Sequence, residues 1–156
     1  MQFPTASDTD DLIDTLGAVL AGEHDLIANA ANMAAILFQT LPDVNWAGFY
    51  FLRDGELVLG PFQGRVACVR IPLGRGVCGT AAERRETVVV PDVHLFPGHI
   101  ACDSASRSEI VVPLIRGDAV IGVLDIDSPV PDRFSRSDQA LCEAAAALLV
   151  RSLDRA

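Results

Sequence analysis

The hydrophobic period of this chain changes at Asn45, and that change limits what it can build. Before it, Leu12, Ile13, Leu16, Val19 and Leu20 recur at helical spacing behind the cap-forming residues Ser7-Asp8-Thr9-Asp10. Gly22 interrupts the pattern. A second helix is predicted over about residues 25–41, with Leu26, Ile27, Met33, Ile36 and Leu37 as its apolar positions and Pro42 as its stop. Stripes of this kind are packing faces first. From Asn45 the period is two. Residues 46–52 read as a strand, Arg53-Asp54-Gly55 as a turn and residues 56–60 as the returning strand, since Asp-Gly between apolar runs signals a hairpin.

Shorter elements follow. Residues 68–72 predict a third strand. Gly74-Arg75-Gly76 then opens a short helix that reaches about Arg85, and residues 87–92 predict a fourth strand. Residues 93–108 show little patterning, and a loop of that length in a compact domain tends to be functional. Two more strands, 109–115 and 119–127, are joined by the tight turn Arg116-Gly117-Asp118. Ser135-Arg136-Ser137-Asp138 has capping-box spacing and introduces an alanine- and leucine-rich helix to the end. The expected class is α+β, with a central antiparallel sheet of about six strands between N- and C-terminal helices. Residues 1–156 are expected to form a single domain.

Composition narrows the partners. Half the residues are apolar, enough for a core without disulfides or metal. A net charge of −9 argues against nucleic acid and against anionic membranes. No apolar run is long enough to span a membrane, and the N-terminus lacks a basic, apolar leader. A cytoplasmic protein is therefore expected, in which cysteines stay reduced unless they do redox work or bind metal.

Four cysteines then need reasons. Cys102 sits in the long loop, with Asp103 and a serine-rich run beside it and Arg107 five residues on. Such a setting is unlike that of a buried structural cysteine. Cys68 and Cys78 fall at a strand start and a helix start, whereas Cys142 lies on the apolar stripe of the last helix and reads as core. No cysteine pair has the two-to-four-residue spacing of structural zinc, and His94, His99 and Cys102 offer three ligands without a fourth. No metal is expected. A thiol relay fits better, in which one thiolate attacks and a second thiol closes a disulfide. The attacker needs a lowered pKa, and Arg107 or the helix N-terminus near Gly76 could supply the positive potential.

Carboxylates sharpen this reading. Asp125 and Asp127 alternate at the end of an apolar strand, so both face one way, and Glu109 opens the neighbouring strand. Ser106-Arg107-Ser108-Glu109 has capping-box spacing, but an apolar strand follows it. Like charges gathered on one face call for a cationic ligand, here an ammonium group, with one carboxyl kept protonated as an acid. Trp46 and Tyr50 stand four apart on a strand and share a face, as an apolar wall for a small substrate would.

These motifs resemble the free methionine-(R)-sulfoxide reductases. The resemblance rests on Asn45-Trp46-Ala47-Gly48-Phe49-Tyr50, Gly60-Pro61-Phe62-Gln63-Gly64, Cys68-Val69-Arg70-Ile71-Pro72 and Gly74-Arg75-Gly76-Val77-Cys78-Gly79-Thr80. It continues through Asp92-Val93-His94, His99-Ile100-Ala101-Cys102-Asp103, Ser108-Glu109-Ile110-Val111 and Gly122-Val123-Leu124-Asp125-Ile126-Asp127-Ser128. It implies a GAF fold and reduction of the free amino acid rather than of methionine within proteins. On this sequence it implies Cys102 as the attacking thiolate, oxidised to a sulfenic acid as methionine leaves. Cys68 would be the main resolving thiol and Cys78 a second partner or relay. Glu109 would hydrogen-bond or protonate the sulfoxide oxygen, which leaves as water. Asp125 would support that acid, Asp127 would hold the substrate ammonium, and Trp46 and Tyr50 would wall the methyl sulfide end. Thioredoxin is implied as the external reductant, with no bound cofactor, and GAF domains often form homodimers through their terminal helices. Two rival readings share the fold: a GAF sensor that binds a small molecule without turnover, and a thiol redox switch.

Overall fold

The computed structural model describes residues 6–99 and 105–154. Cys102 therefore lies outside the described residues. In chain order the elements are α1 (Ala6–Leu20), α2 (Leu26–Thr40), β1 (Trp46–Arg53), β2 (Glu56–Gly64), β3 (Arg70–Pro72), α3 (Gly76–Arg84), β4 (Val88–Val90), a single 3-10 turn (Val93–Leu95), β5 (Ser108–Arg116), β6 (Ala119–Ser128) and α4 (Arg136–Ser152). The six described strands form one sheet in the order β3-β2-β1-β6-β5-β4, with every neighbouring pair antiparallel. Both edges are strands of three residues, which leaves little backbone free for unwanted pairing.

Local chemistry explains most boundaries. Asp25 caps α2 by accepting from the Ala28 amide, and Leu41, held extended before Pro42, ends it. Asp54 and Gly55 turn the first hairpin with φ of 51° and 82°, the paired positive values that a two-residue turn between twisted strands requires. Ser135 and Asp138 complete a reciprocal capping box at α4. The same Asp138 carboxylate takes Arg133 Nη1 at 2.8 Å, while Arg133 Nε donates to Pro42 O at 3.0 Å. A buried arginine thus ties the start of α4 to the end of α2.

Four boundaries differ from expectation. Ser7 to Asp10 fall inside α1 instead of capping it, where Asp8 in the first turn suits the helix dipole. β2 runs past Gly60 to Gly64, because a bulge between Gly48 and Tyr50 absorbs Pro61, which has no amide to pair. Cys68 and Val69 precede β3 instead of starting it, and β4 spans only Val88–Val90. The long loop also opens with the 3-10 turn, capped by Asp92 through the His94 amide.

The two faces of the sheet have different covers. Helices α2 and α4 pack on one, with α1 packed against them, and Phe49, Phe51, Ile110, Val112, Leu114, Leu124 and Ile126 belong to that core. On the other lie α3 and a smaller cluster that includes Trp46, Tyr50, Ile71, Val77, Val111 and Val123.

Candidate active site

Strand alternation builds the site on this second face. Across β1, β6 and β5 the register sets Trp46 opposite Asp127, and Asp127 opposite Glu109. One step along, Gly48 faces Asp125 and Asp125 faces Val111. Trp46, Asp127 and Glu109 therefore form one row, with Asp125 in the next. Gly48 has no substitute: a Cβ there would sit 2.3 Å from Phe62 Cβ. That closeness lets Phe62 stack on Trp46 at 5.2 Å between centroids, and Trp46 stacks on Tyr50 at 5.9 Å. Hydrogen bonds fix the wall, from Trp46 Nε1 to Arg65 O at 3.1 Å and from Tyr50 Oη to Cys68 O at 2.9 Å. A pocket opens between wall and carboxylates, bordered also by Ile71, Val77, Cys78, His99 and Ser106.

Its floor is electrostatically unfinished. Glu109 and Asp125 are buried, and Asp127 is partly so. Burial, then repulsion from Asp125, pushes the Glu109 carboxyl well above the usual range. Burial followed by the Asp127 charge does the same to Asp125, and burial followed by Glu109 to Asp127. Three carboxyls this close cannot all be ionised at neutral pH without a counter-charge. Among the described residues, Asp125 Oδ1 and Asp127 Oδ1 are buried with no hydrogen-bond donor. The arrangement can hold a proton for donation and receive a cation. Tyr50 is held neutral by burial and then by the Asp125 charge.

The cysteines occupy distinct places. Cys78, third residue of α3, is buried as a free thiol with Sγ 4.0 Å from Glu109 Oε2. Burial, then Asp125 and Glu109, raises its pKa, so the start of α3 does not make it a thiolate here. Cys78, Glu109 and Asp125 bring one ligand atom each within 4.8 Å of one another. Cys68 is partly buried beside the pocket and is disulfide-bonded. Cys142 is free in the main core, its pKa pushed up to about 12 by burial and then by Asp138.

The family follows from comparison. A GAF domain family matches residues 23–153. The chain is 57% identical over 129 residues to the free methionine-R-sulfoxide reductase of Escherichia coli (strain K12), covering 83% of this chain and 78% of that one. The chain belongs to the free methionine-R-sulfoxide reductases. Their GAF fold is the α+β architecture described above. It matches the structure of fRMsr of Staphylococcus aureus in complex with substrate with a TM-score of 0.92 at 47% identity, covering 99% of this chain and 100% of that chain. The free methionine-R-sulfoxide reductase from Neisseria meningitidis in complex with its substrate gives 0.92 at 44%, covering 98% and 94%.

Of the residues that the resemblance to these reductases singles out, Trp46, Tyr50, Cys78, Glu109, Asp125 and Asp127 line one pocket, and the Cys68 carbonyl accepts from Tyr50 in its wall. His99 reaches the same pocket, with Nε2 4.0 Å from Glu109 Oε1, and burial holds its pKa below the usual value. In the sequence His99 stands out as a possible metal ligand and as part of a family motif, not as a neighbour of Glu109. Ser106 likewise shows in the sequence only as part of capping-box spacing. Both sit on irregular backbone, where no period shows which way a side chain points.

Proposed function

We propose that this chain reduces free methionine (R)-sulfoxide to methionine by a thiol cycle that uses no bound cofactor. One observation carries the reading: Asp125 and Asp127 each bury an oxygen without a donor on the floor of a pocket walled by stacked Trp46 and Tyr50. An ammonium group satisfies the first feature, and a methyl sulfide fills the second. Asp127 takes the ammonium. Glu109, protonated by its buried setting, donates to the sulfoxide oxygen, and Asp125 supports it.

In this cycle the Cys102 thiolate attacks the sulfoxide sulfur. The protonated oxygen passes to Cys102 as a sulfenic acid, and methionine leaves with its sulfur reduced by two electrons. The Cys68 thiol then attacks that sulfenic sulfur, forming a disulfide and expelling the oxygen as water. The bonded state of Cys68, with Cys78 and Cys142 free, supports Cys68 as the resolving thiol. Cys78 acts as a relay held in reserve. Thioredoxin reduces the disulfide in the cytoplasm. Among the described residues, no helix is long and apolar enough to cross a membrane.

The test is NADPH oxidation through thioredoxin and its reductase, with the (R) and (S) sulfoxides compared. Turnover of the (R) form alone is expected, and none with it would sink the assignment. Cys102→Ser abolishes even one stoichiometric release of methionine. Cys68→Ser keeps that single release and loses thioredoxin-driven cycling.

A further inference from the structure

The chain around Cys68 differs in charge and surface from the rest of the molecule. Residues 65–75 carry three arginines and no carboxylate in a protein of net charge −9. Arg70 is paired with Glu56 at 2.6 Å, but among the described residues Arg65 and Arg75 make no ion pair. Val66, Val69 and Leu73 are 88%, 59% and 38% exposed, three of the seven large apolar side chains exposed among the described residues. Isolated exposed apolar residues need no explanation; three gathered beside a redox-active sulfur do.

The segment is also held in place. Tyr50 Oη donates to Cys68 O, and the Leu59 amide donates to Val69 O at 2.9 Å, so the backbone is pinned on the sheet side. Val66 and Val69 stay exposed on the segment held in this way. β3, which lies within the segment, is a sheet edge. A pinned apolar patch with free positive charge loses little entropy when a partner settles on it.

We propose that residues 65–75 form the docking surface for the protein that reduces the disulfide at Cys68, a small dithiol oxidoreductase with an apolar contact face and an acidic rim. This rests on the reductase reading above. The partner's thiolate attacks Cys68 Sγ, and the bond to Cys102 breaks with its electron pair leaving on Cys102. The partner's second thiol then displaces Cys68 from the mixed disulfide. The partner ends as a disulfide, two electrons poorer, and its two protons reside on the Cys68 and Cys102 thiols.

The experiment measures turnover of Arg65→Glu and Val69→Asp with two reductants, thioredoxin and dithiothreitol. Each variant is expected to raise the KM for thioredoxin about tenfold while dithiothreitol-driven turnover stays at the wild-type level. Added salt should raise the thioredoxin KM of the wild type and barely move that of Arg65→Glu. An unchanged thioredoxin KM in both variants overturns the proposal, as does an equal loss with both reductants. So does a dimer that Val69→Asp dissociates with thioredoxin kinetics intact, since the patch would then join two copies. A wild type inactive with either reductant sinks the reductase reading itself, and the docking surface with it.

Discussion

The same three strands build both faces of the sheet, and the faces obey opposite rules. Along β6, Leu124 and Ile126 enter the main core while Asp125 and Asp127 enter the pocket. Along β5, Ile110 and Val112 go one way and Glu109 the other. On the face covered by α2 and α4 the buried strand residues have apolar neighbours, so their burial lowers the free energy of the fold. On the pocket face burial gathers like charges and leaves carboxylate oxygens without donors. The period of two lets one strand do both jobs. Stability comes from one side of each strand, and the other side stays free to be unfavourable until ligand arrives.

The largest expected effect falls on the pocket face. Glu109→Gln removes the proton that meets the sulfoxide oxygen, and kcat should fall by about 10²–10⁴ with a smaller change in KM. A variant with normal kcat would take Glu109 out of the acid role. Next comes the core face. Leu124→Ala empties a fully packed site and should cost about 2–5 kcal/mol in urea unfolding, with KM unchanged while the protein is folded. If KM rose as much as stability fell, the two faces would not be separable. Asp127→Ala is third: losing the ammonium partner should raise KM about thirtyfold, the equivalent of roughly 2 kcal/mol, without lowering Tm.

How much of this was legible in the sequence depends on which signals are local. Asp54-Gly55, Pro42 and the Ser135–Asp138 box act through their immediate neighbours, and the structure honours each. The alternation of Asp125 and Asp127 is equally local, so their shared face was readable. Register is not. The tight turn at Gly117 is enough to place Glu109 close to Asp125, as observed, but not to show that its cross-strand partner is Asp127, with Asp125 one step along. The length of β2 was hidden because Pro61 reads as a strand breaker unless the bulge at Gly48 is known. The bond from Arg133 to Pro42 spans 91 positions, and nothing in either stretch announces it. Nor does any period reveal that His99 faces Glu109. The fold followed from local patterning, whereas the fine geometry of the site came from pairings between distant segments.

The smallest effect is the one that separates the faces most cleanly, because its sign is opposite to that of ordinary core damage. Asp125 has its pKa raised in the folded state by burial first and by Asp127 second. Between the ordinary carboxyl value and that raised value, the native state holds more protons than the unfolded chain. Stability must then fall as pH rises through this interval. Asp125→Asn removes the titration while keeping the shape, and its amide can donate to the neighbouring carboxylates. The variant should therefore melt higher than wild type at pH 8, by about 3 °C for each 1 kcal/mol relieved, and the gap should close near pH 4. Methionine added to the wild type should recover part of the difference at pH 8, where its ammonium meets ionised carboxylates, and less at pH 5, where binding must first displace protons. A variant that melts lower than wild type at pH 8 would mean that Asp125 stabilises the empty fold, and the contrast between the two faces would fail at its central residue.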